Sequence, residues 1–438
     1  MRNRSIARRT FLRHSAAGVA LGTAGKTVLA GGPTAISLHR QGQPFALSIT
    51  RADVLVVGGG TAGCIAAIQA GRAGASTVLL EQGSQLGGML TTGGVAFPGL
   101  FHAWGRQIIA GIGWELVSEC VALDGARLPD FSQPPSRHWH HQIMVNPFLY
   151  ALLAEEKCVQ AGVTVLYYEF PWSIAETAEG WCVESVGMGT QRRILCKQVI
   201  DCTGGAEVIG LVPLPRLRED ERQPGSMLFK CDEVYQPGRA QLQAVYVPGA
   251  DSSTSITRTA ANLAGRRAIL EKIRGRRLTH LQPEAAVRES CRILGHVVIS
   301  HADYCSGRLF DDAVCFAFYP VDLHTREGVT PRPLAQGVVP SVPLRALIPK
   351  NSRNILAAGR SVSSDRLADS GLRVQACCMA MGQAAGAAAA LAAHRDTTPL
   401  KLPVQEIRAL LKKHGAIVPG DQGNRGRKSI DGGHGISN

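Results

Sequence analysis

Apolar positions in this chain come in short blocks that stop at glycine. Val54, Leu55, Val56 and Val57 form one unbroken apolar run, the pattern of a strand buried on both faces. It runs into Gly58-Gly59-Gly60-Thr61-Ala62-Gly63, and an alanine-rich stretch beyond predicts a helix. A second apolar run, 77–80, ends on Glu81. Further strands are predicted at 163–168, at 198–201 before Thr203-Gly204, and at 354–358 before Gly359-Arg360. Helical spacing covers 148–161, 260–278 and 379–388, and an amphipathic pattern covers 404–414. Strand-like runs also occupy 226–231, 243–247 and 313–319. Three strand-to-glycine junctions spread along the chain predict one sheet gathered from distant segments.

The first junction has the parts needed to hold a dinucleotide. Gly58 permits the tight turn, Gly60 lets backbone approach a pyrophosphate, and Gly63 lets helix pack closely on strand. Thr61 and Ala62 open the helix, whose free N–H groups face phosphate charge. Glu81 follows the last glycine by about 18 residues, where a carboxylate can accept hydrogen bonds from a ribose diol. Strand, helix, strand and terminal acid in this order make the motif specific. A second pair, Gly87-Gly88, lies just beyond the acid, and a simple NAD site has no need of another close backbone approach there. An extended FAD does.

Together these segments resemble the FAD-dependent oxidoreductases of the two-dinucleotide-binding-domain superfamily, in the branch that shares its flavin core with the heterodisulfide reductase flavin subunit. The likeness rests on E-x-x-x-x-x-G-G-M at 81–89, V-I-D-x-T-G at 199–204 and R-E-S-x-R-I-x-G at 288–295. It extends through D-D-A-V…Y-P-x-D-x-H at 311–324 and A-G-R…L-R-V…M-x-x-G-Q-A-A-G at 358–386. Two departures are Gly205-Ala206-Glu207, where the family often has acids after the Thr-Gly turn, and Pro343-Leu344-Arg345, where it commonly has P-Y-R. The resemblance implies an α/β fold: a Rossmann-like FAD-binding domain of the glutathione-reductase type, interleaved with an α+β substrate domain. It implies FAD as cofactor, with Gly58, Gly60, Thr61, Ala62, Gly63, Glu81, Gly87, Gly88, Thr203, Gly204, Gly359, Arg360 and Gly382 in its site. The expected FAD-binding segments are 50–92, 147–210 and 339–394; 93–146 and 211–338 make the substrate domain. Residues 395–438 supply a helix and a disordered tail rich in glycine and polar residues.

The N-terminus bears on location. Arg8-Arg9-Thr10-Phe11-Leu12-Arg13 fits a twin-arginine export signal, followed by a weakly apolar run from 16 to 29. Cleavage after Ala30, Ala35 or Ala46 is compatible with the sequence, and residues 1–49 are read as signal and linker. This predicts a periplasmic or secreted protein, the twin-arginine translocase as a transient partner, and flavin insertion before export. No run reaches the roughly 18 apolar residues of a membrane span, so no stable membrane insertion is expected.

Composition changes little. A formal charge of +13 suggests nucleic acid, but several of the arginines lie in the signal, and the basic segment 266–277 lacks stacking aromatics; no nucleic-acid role is expected. The twelve cysteines are scattered apart from Cys377-Cys378 and lack the short spacings of iron–sulfur ligation, so they read as small core residues. Arg137-His138-Trp139-His140-His141 fits no standard metal site, and no metal is expected.

Catalytic candidates are fewer. Asp322 and His324 alternate along an extended segment and share a face, either as a tuned general base or as a structural pair. Arg373 precedes the small-residue helix and can stabilise reduced flavin, hold a carboxylate substrate, or bridge the domains. Two function classes follow. One is an exported flavoenzyme moving a hydride from a small organic substrate to flavin N5, with reoxidation by oxygen, quinone or a cytochrome. The other is a flavin- or nucleotide-binding protein without redox chemistry. Intact signature segments favour the first.

Overall fold

A computed structural model describes residues 47–132, 138–233 and 241–420. The twin-arginine stretch, its cleavage candidates, Arg137, the side chains of His138 and Trp139, and the tail beyond 420 lie outside the described residues.

Strand β1 (Leu47–Val57) begins inside the expected linker: its first half already pairs with Gln191–Cys196, so Leu47, Ser48 and Ile49 belong to the sheet. Helix α1 (Thr61–Arg72) leads to β2 (Thr77–Glu81), which pairs with β1 in parallel, Val54 opposite Thr77. Helices α2 (Ile112–Leu123) and α3 (Pro147–Gln160) follow, the latter started by Asn146, whose side chain accepts from the N–H of Phe148 and Leu149. Next come β3 (Thr164–Tyr167) and a meander of β4 (Glu169–Thr177), β5 (Gly180–Gly187) and β6 (Thr190–Asp201). The sheet runs β3-β2-β1-β6-β5-β4, and Ile355–Ala357 joins in parallel at the end of β6. The hairpin β4–β5 is not anticipated from the sequence: Phe170 and Trp172 on β4 are exposed, whereas Trp181 and Val183 on β5 are buried.

A second domain has its own core. Strands β7 (Gly225–Glu233), β8 (Gln241–Val247) and β9 (Arg276–Leu281) form a three-stranded antiparallel sheet. Helix α4 (Ser255–Lys272) covers it, placing Ala261 and Ile269 against Met227, Phe229 and Val247. The expected helix over 260–278 therefore ends early. Gly275 turns the chain at φ +74°, and Arg276 onward pairs with β7. Helical spacing of the arginines continued across the turn by coincidence.

Apart from two short helices at Glu207–Leu211 and His301–Ser306, the chain continues into α5 (Arg366–Leu372), α6 (Gln375–His394) and α7 (Val404–Lys413). α6 is long and apolar enough to cross a membrane, yet it is buried inside the fold. A Cβ at Gly382 would lie 2.1 Å from the Ala62 carbonyl oxygen, and one at Gly386 would lie 2.3 Å from that of Ala66. These two glycines, one turn apart, form the groove that seats the α1 backbone. Segment 93–146 was expected in the substrate domain, but α2 packs on α1, α3 and α6 and shares their core. The cysteines are buried apart from half-buried Cys182 and Cys305, and all are free.

Candidate functional site

Between the ends of the parallel strands and the second domain lies a cavity of about 690 Å³, within the range for small-molecule and cofactor sites. Gly58 forms its tight turn at φ +95°, where a Cβ would meet the Cys202 carbonyl oxygen at 2.6 Å. A Cβ at Gly60 would meet nothing within 4 Å. That position opens on the cavity at the start of α1, which has no side-chain cap and no acid in its first turn. The first N–H groups of the helix are thus left for an anion. Gly88 packs on this turn from the other side, and Thr61, Ala62, Thr203, Gly204 and Gly359 complete the wall.

Glu81 ties the turn to the following loop. One carboxylate oxygen accepts from Gly59 N–H at 2.7 Å and the other from Gly83 N–H at 2.6 Å. Burial raises its carboxyl above the usual range, opposed by these two bonds and by the charge of Arg258. Each oxygen retains a lone pair for a ligand. Arg360 is spent differently: it donates to Gly204 O at 2.8 Å, to Val287 O, and to Ser252 Oγ at 3.1 Å, joining the two domains across the cavity. Three expected cofactor residues do not line the cavity. Gly63 sits behind the wall, where a Cβ would strike Gly58 O at 1.8 Å, Gly87 is a hinge bonded to Gly59 O, and Gly382 seats α1. Their role is to shape the wall by close packing.

Elsewhere along the cavity the structure brings Asp322, His324 and Arg373 together. His324 Nε2 lies 3.1 Å from Asp322 Oδ2, and Nδ1 lies 3.0 Å from the Tyr246 hydroxyl. Burial pushes the Asp322 carboxyl up, but the His324 bond and the charges of Arg373 and Arg288 outweigh it, leaving the group below its ordinary value. With Asp322 ionised, Nε2 carries the ring proton and Nδ1 accepts from Tyr246. Burial, with help from Arg288 and Arg373, keeps His324 below its ordinary value against the pull of Asp322, so the ring is neutral at pH 7. Both ring nitrogens are therefore engaged, and Tyr246 is the member of the line with an exposed hydroxyl-bearing side chain on the cavity. Arg373 donates to Asp322 O at 3.1 Å and approaches Asp322 Oδ2 at 3.6 Å.

Sequence reasoning missed Tyr246, Arg288, Gln223 and Tyr319. Gln223 accepts from His324 N–H at 2.9 Å and fixes the segment, while Tyr319, pushed up to about 12 by burial and the Asp322 charge, accepts from Gln142 at 2.7 Å. Arg288 opens the R-E-S motif and was legible there; Tyr246 carries no motif at all. At the Glu81 end, Arg258, Glu207 and Glu284 were missed as well. Burial and the Asp201 charge push Glu207 up to about 7, against Arg258 and Arg360.

Among the described residues, two buried polar atoms at the cavity lack partners: Gln375 Oε1 and Arg373 Nε. An open glycine cradle, an uncapped helix start and orphaned polar atoms are what an extended polar cofactor satisfies. A family model described as FAD dependent oxidoreductase matches residues 53–269 and 258–411. The chain belongs to that family. It is an oxidoreductase and its cofactor is FAD, which retires the non-redox reading. The residues present fit that cofactor.

No curated protein matches the chain. Among solved structures, an anhydrotetracycline hydroxylase from Streptomyces rimosus is 14% identical with a TM-score of 0.44, over 84% of this chain and 66% of its own. A geranylgeranyl bacteriochlorophyll reductase-like protein from Thermoplasma acidophilum is also 14% identical, at TM-score 0.41 over 84% of each chain. A flavoprotein/dehydrogenase from Cytophaga hutchinsonii is 14% identical at 0.41 over 79% of each.

Proposed function

We propose that this FAD-dependent oxidoreductase is an exported enzyme that oxidises a small organic substrate, in the branch sharing its flavin core with the heterodisulfide reductase flavin subunit. The motifs at 81–89, 199–204, 288–295 and 358–386 support the branch. Gly58, Gly60, Thr61 and Ala62 cradle the pyrophosphate, Glu81 takes a ribose hydroxyl, and Gly88, Thr203, Gly204 and Gly359 shape the channel. Bound FAD supplies the hydride acceptor, and oxygen, a quinone or a cytochrome takes the electrons onward.

The observation that carries the reading is the line Tyr246–His324–Asp322 on the cavity wall beside Arg373. Tyr246 takes the substrate proton while passing its own to His324 Nδ1. Asp322 holds the ring in the right tautomer and balances the imidazolium that forms. Arg373 holds Asp322 in place and brings positive charge to the wall.

Anaerobic mixing of the yellow protein with sugars, amines, hydroxy acids and polyols, followed by flavin absorbance, identifies the substrate. With that substrate, Tyr246→Phe and His324→Gln reduce the flavin 10²–10⁴-fold more slowly at equal FAD content, the usual range for general-base loss. Wild-type rates in both variants remove the relay. Export rests on Arg8 and Arg9: the pair Arg8→Lys with Arg9→Lys leaves a yellow precursor in the cytoplasm, whereas normal processing outside the inner membrane defeats it.

A further inference from the structure

We infer that the substrate carries a carboxylate, or an anion of the same charge, held between Arg288 and Arg373 on the wall bearing Tyr246. The inference deepens the proposed function and rests on its reading of that wall as the substrate site. Its starting point is an imbalance of charge in a confined place.

Arg288 is half-buried and lines the cavity. It donates to the Pro224 carbonyl at 2.6 Å, and its guanidinium lies 5.5 Å from the centre of the Tyr246 ring. Among the described residues no carboxylate stands within ion-pairing distance of it. Other arginines inside the fold are treated differently: buried Arg292 pairs with Glu219 at 2.7 Å and half-buried Arg366 with Glu289 at 2.9 Å. Arg360 lacks an acid too, but it is bonded to two carbonyls and a hydroxyl.

Among the described residues, the carboxylate paired on this wall is Asp322. It already serves His324 at 3.1 Å and Arg373 at 3.6 Å. With Asp322 shared between His324 and Arg373, Arg288 is left without an ion-pair partner on the cavity. Burial and the Arg373 charge pull Arg288 down to about 10, as expected for a cation short of a counter-charge. At pH 7 it is still protonated. A guanidinium removed from water without an anion is costly, whereas one carboxylate from a ligand gives Arg288 the counter-charge it lacks and can take paired N–H donors from the fork. Tyr246 beneath Arg288 then lies beside the hydroxyl or amine on the carbon next to that carboxylate, whose proton it takes as that carbon gives up its hydride. A 2-hydroxy or 2-amino acid fits this placement, and a neutral sugar or polyol leaves the charge uncompensated.

Reduced flavin is also anionic, so the test is made on the oxidised holoprotein, before any electron moves. Propionate, succinate and benzoate are titrated at pH 8, each against its amide, with the visible flavin spectrum as readout. At least one carboxylate binds tenfold or more tightly than its amide. Arg288→Met abolishes that preference at unchanged FAD content, and Arg288→Lys restores part of it. Equal binding of every acid and its amide overturns the inference, as does a Met variant that keeps the preference. The wild-type comparison decides even where the Met variant does not fold. A protein that takes up no FAD fails the proposed function instead; a yellow, reducible protein blind to carboxylates fails this inference alone.

Discussion

Gly60→Val separates the cradle from the scaffold. At Gly60 the backbone is extended, φ −66° and ψ −176°, a conformation open to any residue, and an added Cβ meets nothing within 4 Å. The protein without FAD therefore loses only a helix-start preference, about 1 kcal/mol or less. The branched side chain instead fills the space that a pyrophosphate needs. Ligand binding to the native state alone stabilises by about 2.7 kcal/mol at a free concentration of 100 Kd, and roughly 2 °C of melting temperature accompanies each kcal/mol in a chain this large. Thermal melts with and without FAD should show a rise of roughly 5 °C in the wild type and almost none in Gly60→Val. Gly382→Ala is the opposite case. Its Cβ meets backbone at 2.1 Å, so α1 and α6 must part. Overpacking costs about 1–3 kcal/mol, offset by about 1 kcal/mol of helix preference, and lowers both melts while leaving the FAD-dependent rise. A Gly60→Val protein that gains the full rise refutes the cradle.

Glu81→Gln should weaken FAD binding by about 1–3 kcal/mol, read by flavin fluorescence, because the charged acceptor proposed for the ribose hydroxyl is lost. Asp369 is buried, and neither of its carboxylate oxygens has a partner; burial pushes it up to about 7, against Arg292 and Arg373. Its folded value lies above the unfolded one, so its stabilising contribution is full below pH 4 and is lost as pH rises to about 7. Asp369→Asn should therefore melt higher than wild type at pH 8 and about equally at pH 4, at matched FAD content. His324 lies below its ordinary value, so flavin reduction should fall only on the acid side, below pH 6.5, and His324→Gln should remove that limb from the pH–rate profile.

Glycine turn, helix and acid occupy thirty-five consecutive residues from Val54 to Gly88, and each has a local physical requirement, so they are legible in the order of residues alone. Positive φ at Gly58 and open space at Gly60 follow from the motif itself. The family likeness added the later junctions because their segments repeat recognisable short patterns. What sequence could not supply was partnership. Gly382 and Gly359 look alike as glycines in signature segments, yet one meets a helix backbone and the other lines the cavity. Asp322 and His324 share a face by simple alternation, but their third member, Tyr246, arrives on β8 some eighty residues earlier in the chain. Arg288 lies on a third segment, and the missing counter-charge beside it is a property of the assembled wall. Local geometry is set by neighbours in the chain; pairing, burial and charge balance depend on segments that only the tertiary fold brings within a few ångströms.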